Sequence, residues 1–451
     1  MNRFLGIALA MLFVLGLVVV DYVSATELST SGSLRFRGEY KDNVTDFNDD
    51  VSNTSDDSYY DGRVRLAIDA NVSDKTTGRI HLESGSADTS DTYKWATQTP
   101  EGKGIYGEGN SKRGELRILE AWIQHKGSGL IGTPAGIKIG HMPLKLGNGL
   151  FFNHSKFGDD AIVLFADPTK ELHIALLTAK LTEGTPGTPD DTDLYVGLFT
   201  YKVSGVNVSG DVTYLDDQDY SADGLHFWNF GLRGDTKVGG LGLKADVELQ
   251  SGKAKGALSS AAATATNITS DAKFKGYAVL LGANYTVSDI TLDAEFALGS
   301  GDKDRTDSKV GTFVTALSGS QNYTYVYDYR AATAGVAAQS TTATSGATGT
   351  GLANTTYYKI GATAKPAKDL SANLNLYLLK ATKAVSTSST YDDKGIGTEL
   401  DGKLTYQIDK NLVYFVEGGY LWAGDFYKNV RAADVNPDNA YAVRHGVELT
   451  F

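Results

Sequence analysis

Alternation with a period of two runs through almost the whole chain from Thr26 onward. In "LRFRGEYK", Leu34, Phe36 and Tyr40 share one face and Arg35, Arg37, Glu39 and Lys41 the other. "GRVRLAIDA" sets Val64, Leu66 and Ile68 against Arg63, Arg65 and Asp69, and "GRIHLESG" sets Ile80 and Leu82 against Arg79, His81 and Glu83. "LGLKADVELQSG", "ITLDAEFALG", "LSANLNLYLL" and "ELDGKLTYQI" repeat the scheme. One apolar face repeating every second residue is the signature of a strand, and helical periodicity is almost absent.

The connections alternate in length. Short ones fall at 72–76, 167–170, 203–206, 238–240, 287–289, 365–369 and 409–411. Long ones cover 42–58, 86–113, 147–158, 183–192, 216–224, 251–272, 300–354, 383–397 and 423–439. An up-and-down barrel in an outer membrane is wired this way, with short turns on the periplasmic side and long loops outside. The expected fold is all-β: a transmembrane antiparallel up-and-down barrel of about 18 strands. The connection 126–135 serves as a periplasmic turn and is longer than its siblings. Soluble propellers, β-helices and sandwiches bury an apolar face too, but the first two repeat at a fixed period, and none is found here.

The two ends fit this picture. "MNRFLGIALAMLFVLGLVVVDYVSA" has a positive Arg3, an apolar run from Phe4 to Val20 and small residues before Thr26. Residues 1–25 are therefore expected to be a cleaved signal peptide, with an uncleaved anchor as the alternative, and 26–451 the barrel. At the other end Tyr441, Val443, Val447, Leu449 and Phe451 share one parity, so Phe451 is expected in the aromatic girdle at the periplasmic interface. This last run resembles the C-terminal assembly signal of bacterial outer-membrane proteins at Arg444, Gly446, Leu449 and Phe451. The resemblance implies the outer membrane as location, with its lipid, its lipopolysaccharide and the barrel assembly machinery as partners.

Composition narrows the chemistry. The net charge of −12 argues against nucleic acid as partner. There is no cysteine, which removes disulfides, thiolate metal sites and covalently attached c-type haem. Gly is abundant at 51 residues and Tyr at 25, which suits many strands joined by tight turns.

A narrower likeness lies in "LEAWIQHKGSGLIGTPAGIKIGHMPLKLGNGLFF". Glu120, Ala121, Trp122, Gly140, Leu144 and Gly147 resemble the motif of the alginate-export family of large barrels. That resemblance implies an outer-membrane pore. Where the family commonly shows Arg-Gln after the first Gly, this chain has His141 and Met142, a departure that bears on the solute rather than on the barrel.

In a pore the chemistry is the charge lining the lumen. Arg35, Arg37, Arg63, Arg65 and Arg79 share the inward parity on the first three strands, and barrel closure should bring Arg444 beside them. They either form a net basic wall or pair with Glu39, Asp69, Glu83 and Glu448. Asp293, Glu295, Glu399, Asp401 and Glu417, on later strands, are expected opposite them, giving a field across the channel. The stretch 147–158 reads as a constriction: Gly147 and Gly149 permit an inward fold, and His154 and Lys156 would line the channel. The rival reading is an ordinary loop at the rim.

The acidic stretch with Asp42, Asp46, Asp49, Asp50, Asp56 and Asp57 lacks the glycine and final glutamate of an EF-hand. It reads as a solvated loop, with calcium bridging to lipopolysaccharide phosphates as the alternative. Residues 331–356 are Ala/Thr/Ser/Gly low complexity and read as an external loop tip. His141, His154 and His173 have no nucleophile-elbow serine, so an enzyme is not expected. No cofactor or metal is expected either. The sequence thus predicts passive diffusion of small hydrophilic, anionic solutes. The alternative is a barrel serving an export or electron-conduit assembly. Oligomeric state is left open.

Overall fold

Side chains that alternate between lipid and lumen need a sheet with no free edge, because an unpaired backbone group in hydrocarbon costs several kcal/mol. The computed structural model describes residues 27–45, 47, 57–85, 93–94, 115–129, 132–188, 190–260, 268–304, 307–315, 323–331, 351–384, 393–429 and 436–451. Residues 1–25, much of the acidic stretch and 332–350 lie outside these.

In chain order the strands are β1 (Glu27–Asp42), β2 (Asp57–Asn71), β3 (Thr76–Gly85), β4 (Tyr93–Lys94), β5 (Glu115–Gly127), β6 (Ala135–Lys145) and β7 (Asn153–Ala166). There follow β8 (Leu172–Thr182), β9 (Thr192–Val203), β10 (Val206–Asp217), β11 (Leu225–Val238), β12 (Leu241–Ala257), β13 (Ser270–Phe274) and β14 (Tyr277–Val287). The last are β15 (Ile290–Gly299), β16 (Lys309–Val310), β17 (Thr355–Ala367), β18 (Leu370–Ala381), β19 (Gly395–Asp409), β20 (Leu412–Ala423) and β21 (Ala440–Thr450). β4, β13 and β16 are short additions. The other eighteen form one antiparallel sheet that closes where β21 pairs with β1, with Arg35 opposite Glu448 and Gly38 opposite His445. Among the described residues no helix is long and apolar enough to cross a membrane.

Short turns follow backbone sterics. Between β9 and β10, Ser204 and Gly205 have φ of 47° and 80°, the pair of positive angles that a two-residue hairpin turn requires. Outward positions carry exposed apolar side chains, among them Leu66, Ile80, Ile123, Ile139, Leu176, Leu232, Leu292 and Ile360. Phe451 continues the ladder: its N–H donates to Gly32 O at 3.1 Å, and Gly32 N–H donates to Phe451 O at 2.8 Å. Its ring lies over Gly32, where an added Cβ would come within 2.7 Å of it.

The expectation that the long connections other than 147–158 stay outside needs correction. Leu150, Phe151 and Phe152 are buried, Phe151 stacking at 5.9 Å on the inward Phe227. Within 300–354, Phe313, Val326, Tyr327 and Leu352 are also buried. These segments enter the barrel because the inward faces near the loop end are apolar: Leu177, Leu194, Val196, Phe227 and Phe274 form one core with them. Burying that surface against loop side chains is favourable at about 25 cal/mol per Å².

Candidate functional site

At the seam the ladder sets the site. On β1 and β2, Arg35 stands opposite Arg63, and Arg37 opposite Asp61. With Arg65 and Arg444 these three arginines line a lumenal cavity of about 540 Å³. Lys156 and Lys403 join them, so seven cations face it against two carboxylates, Asp401 and Glu417.

Arg37, Arg63 and Arg65 are held by carboxylates that do not themselves line the cavity, whereas Arg444 pairs with a carboxylate that does. Arg37 donates through Nε and Nη2 to Asp61 at 2.9 and 2.7 Å, and Asp61 is buried. Arg63 donates to Glu448 at 3.2 Å and Arg65 to Glu83. Arg444 bonds Glu417 and lies 3.8 Å from Glu39. Pairing and a basic wall therefore coexist, acids behind and guanidinium groups in front. Arg79 lies outside the cavity, paired with Asp69 at 3.2 Å.

Across the cavity stands residues 323–331, a strap folded into the lumen. The main-chain N–H groups of Val326 and Tyr327 donate to the two oxygens of Glu399, and that of Tyr325 to Asp401 Oδ2 at 3.0 Å. Arg330 donates to Glu39 at 3.0 Å and to Tyr325 O at 2.6 Å, with its guanidinium 3.7 Å from the Tyr325 ring centre. Tyr323, Tyr325 and Tyr329 present their rings to the cavity, and Asn373, Asn375 and Tyr377 of β18 complete its wall.

The placement of the later acids requires a correction. Closure pairs β21 with β1, with β20 and β19 next in order, so Asp401 and Glu417 share the cavity of the arginines rather than oppose them. Glu399 is fully buried beneath the strap and does not line an open channel. Asp293 is neutralised by Lys359 at 2.8 Å, and Glu295 by Lys244 at 2.5 Å.

The stretch 147–158 does enter the lumen. Asn148 donates from Nδ2 to Asp246 at 2.9 Å. Gly147 has φ of 51° and sits where an added Cβ would meet Arg233 Nε at 2.0 Å. Arg233 binds Asp211 at 2.6 Å, Glu248 at 2.5 Å and Asp246 at 3.4 Å, a buried network beneath this segment. Lys156 reaches the cavity, whereas His154 turns to Asp159 at 2.8 Å. His141 bonds Asp160 at 3.0 Å, and His173 bonds Asp167 at 2.7 Å. No group of metal-binding side chains occurs among the described residues.

Sequence reasoning missed the strap tyrosines, Arg330, Asp61, Lys403 and the Arg233 network. Asp61, Lys403 and Arg233 were readable from inward parity. The strap gave no periodic signal.

A closed eighteen-stranded sheet, apolar outside and charged within, defines an outer-membrane β-barrel of the pore-forming class. The sequence model of the family described as Alginate export matches residues 26–440, and the chain belongs to that family. A search of curated proteins finds no match. Among solved structures the chain is similar to Pseudomonas aeruginosa OccK9 (OpdG), with TM-score 0.56 and 14% identity over 94% of this chain and 99% of that one. It is also similar to a BenF-like porin from Pseudomonas fluorescens Pf-5, with TM-score 0.54 and 10% identity over 94% and 98%. A third is Pseudomonas aeruginosa OccK2 (OpdF) in complex with glucuronate, with TM-score 0.55 and 10% identity over 94% and 98%. At these identities the likeness shows the fold.

Proposed function

We propose that the chain is a passive porin of the outer membrane that prefers small carboxylate-bearing solutes, sugar acids among them. The observation that carries this is the cavity, where guanidinium groups stand in front and the carboxylates of Arg37, Arg63 and Arg65 are recessed. Guanidinium stays charged at any working pH and presents a fork that matches a carboxylate. Tyrosine rings and asparagine amides on the facing wall suit a hydroxylated ring. The net charge of −12 does not oppose this, since charges on external loops are screened within about 10 Å at 0.1 M salt. The glucuronate named in the OccK2 structure supports the same solute class.

A second reading, an outlet for an acidic polysaccharide, is favoured by the family description. A sheath around a partner protein is less favoured, because the strap occupies lumen space that a plug would need. The test is the reversal potential across a KCl gradient, in wild type and with Arg37, Arg63 and Arg65 changed to Ser. Anion selectivity that falls in the variant is expected. Cation selectivity in wild type, or no change in the variant, refutes the arginine wall.

A further inference from the structure

Nearer the short-turn end of the lumen, a second cluster lies outside the cavity. Glu120 accepts from Trp122 Nε1 at 2.8 Å and bonds His81 Nδ1 at 2.9 Å, while Arg79 Nε lies 3.4 Å from the same Glu120 Oε1. Both oxygens of Glu120 are thereby engaged and the indole is fixed. Gly140, opposite Trp122 on β6, adds no side chain to this stretch of wall.

Lys138 differs from other lumenal lysines. Lys244, Lys359 and Lys403 each hold a carboxylate, at 2.5, 2.8 and 3.0 Å. The Lys138 ammonium instead rests 3.8 Å from the centre of the Trp122 ring. Among the described residues no carboxylate comes within ion-pair distance of it. Its side chain is half-buried, a setting where an ammonium ordinarily acquires an anionic partner. Arg79 donates to Asp69 through Nη1, and its Nη2 has no partner among the described residues.

We propose that Lys138, Arg79 and Trp122 form a second binding station for a carboxylate-bearing sugar acid, on the short-turn side of the arginine cavity. The carboxylate takes the Lys138 ammonium and Nη2 of Arg79, and the half-exposed indole gives the ring carbons a rigid apolar edge. Glu120 is a positioning residue: it holds Trp122 and, being occupied, leaves Lys138 to the solute. This rests on the reading of the cavity as an anion path, and adds to it a site reached first from the periplasmic side.

The test uses the full chain in a planar bilayer, with potassium glucuronate added to one side at a time as a blocker of chloride current. Block from either side is expected in wild type. In Lys138→Gln the apparent dissociation constant from the short-turn side should rise about tenfold, the loss of one charge-assisted contact, while block from the loop side is unchanged. Lys138→Arg should retain the block. Trp122→Phe should weaken it from the short-turn side alone and supplies a second measure if Lys138→Gln assembles poorly. Short-turn-side block that is equal in wild type, Lys138→Gln and Trp122→Phe overturns the station. Absence of block from both sides in wild type overturns the reading of the cavity instead, and the station with it.

Discussion

Releasing the strap is the most direct way to ask whether it sets the pore. Glu399 supplies both acceptors for the N–H groups of Val326 and Tyr327, and all of these are buried. Glu399→Ala leaves two buried donors unsatisfied, at about 1–3 kcal/mol each, so the docked strap loses roughly 2–6 kcal/mol. Arg330→Ala removes the second anchor and leaves Glu39 only Arg444 at 3.8 Å, so the cost stays below the about 3–5 kcal/mol of a buried ion pair broken outright. What still holds the strap is the bond from Tyr325 N–H to Asp401, at about 1.5–3 kcal/mol for a bond to a charged group, the Arg444 contact to the Tyr329 hydroxyl and the burial of Val326 and Tyr327, so the double variant weakens docking without abolishing it. The barrel itself should persist, because the backbone of Glu399 pairs with Tyr377 and Leu421 whatever its side chain. Single-channel recording of the double variant should therefore show larger conductance and weaker ion selectivity, with unaltered heat-modifiable migration. Wild-type conductance in a correctly assembled double variant would refute the idea that the strap narrows the path.

Further outcomes follow from the same contacts. Phe451→Asp places a charge where the ring covers Gly32 at the edge of the apolar band, and should impair assembly as read by heat-modifiable migration and surface protease protection. Arg37→Ser strands the buried Asp61 and should cost about 3–5 kcal/mol, while adding Asp61→Asn should restore part of it in urea unfolding. Gly147→Ala forces a Cβ against Arg233 at a φ of 51° and should release the segment after β6, seen as noisier current and a new protease cut near residue 148. Mass analysis of the protein from outer membranes should find a chain beginning at Thr26.

Much of this molecule was open to local reasoning. The period of two, the eighteen strands and the face on which each arginine lies are properties of a short run of chain. They are legible because successive side chains must point to opposite faces. Residues 34–41, 63–69 and 79–83 declare their faces without reference to anything else. The low-complexity stretch 331–356 shows the limit: it reads as an external loop tip, yet Ala331 and Leu352 are buried and β17 begins at Thr355. Pairing was beyond local reasoning. Arg37 takes Asp61 rather than a neighbour on β1, because ladder register, set between strands, decides which inward side chains meet. Closure brought Asp401 and Glu417 into the cavity of the arginines, and no segment carries the sign of where its sheet will close. The strap is the furthest case. Its amides find acceptors more than 70 residues away, and a segment ordered only by such contacts has no repeat of its own to read.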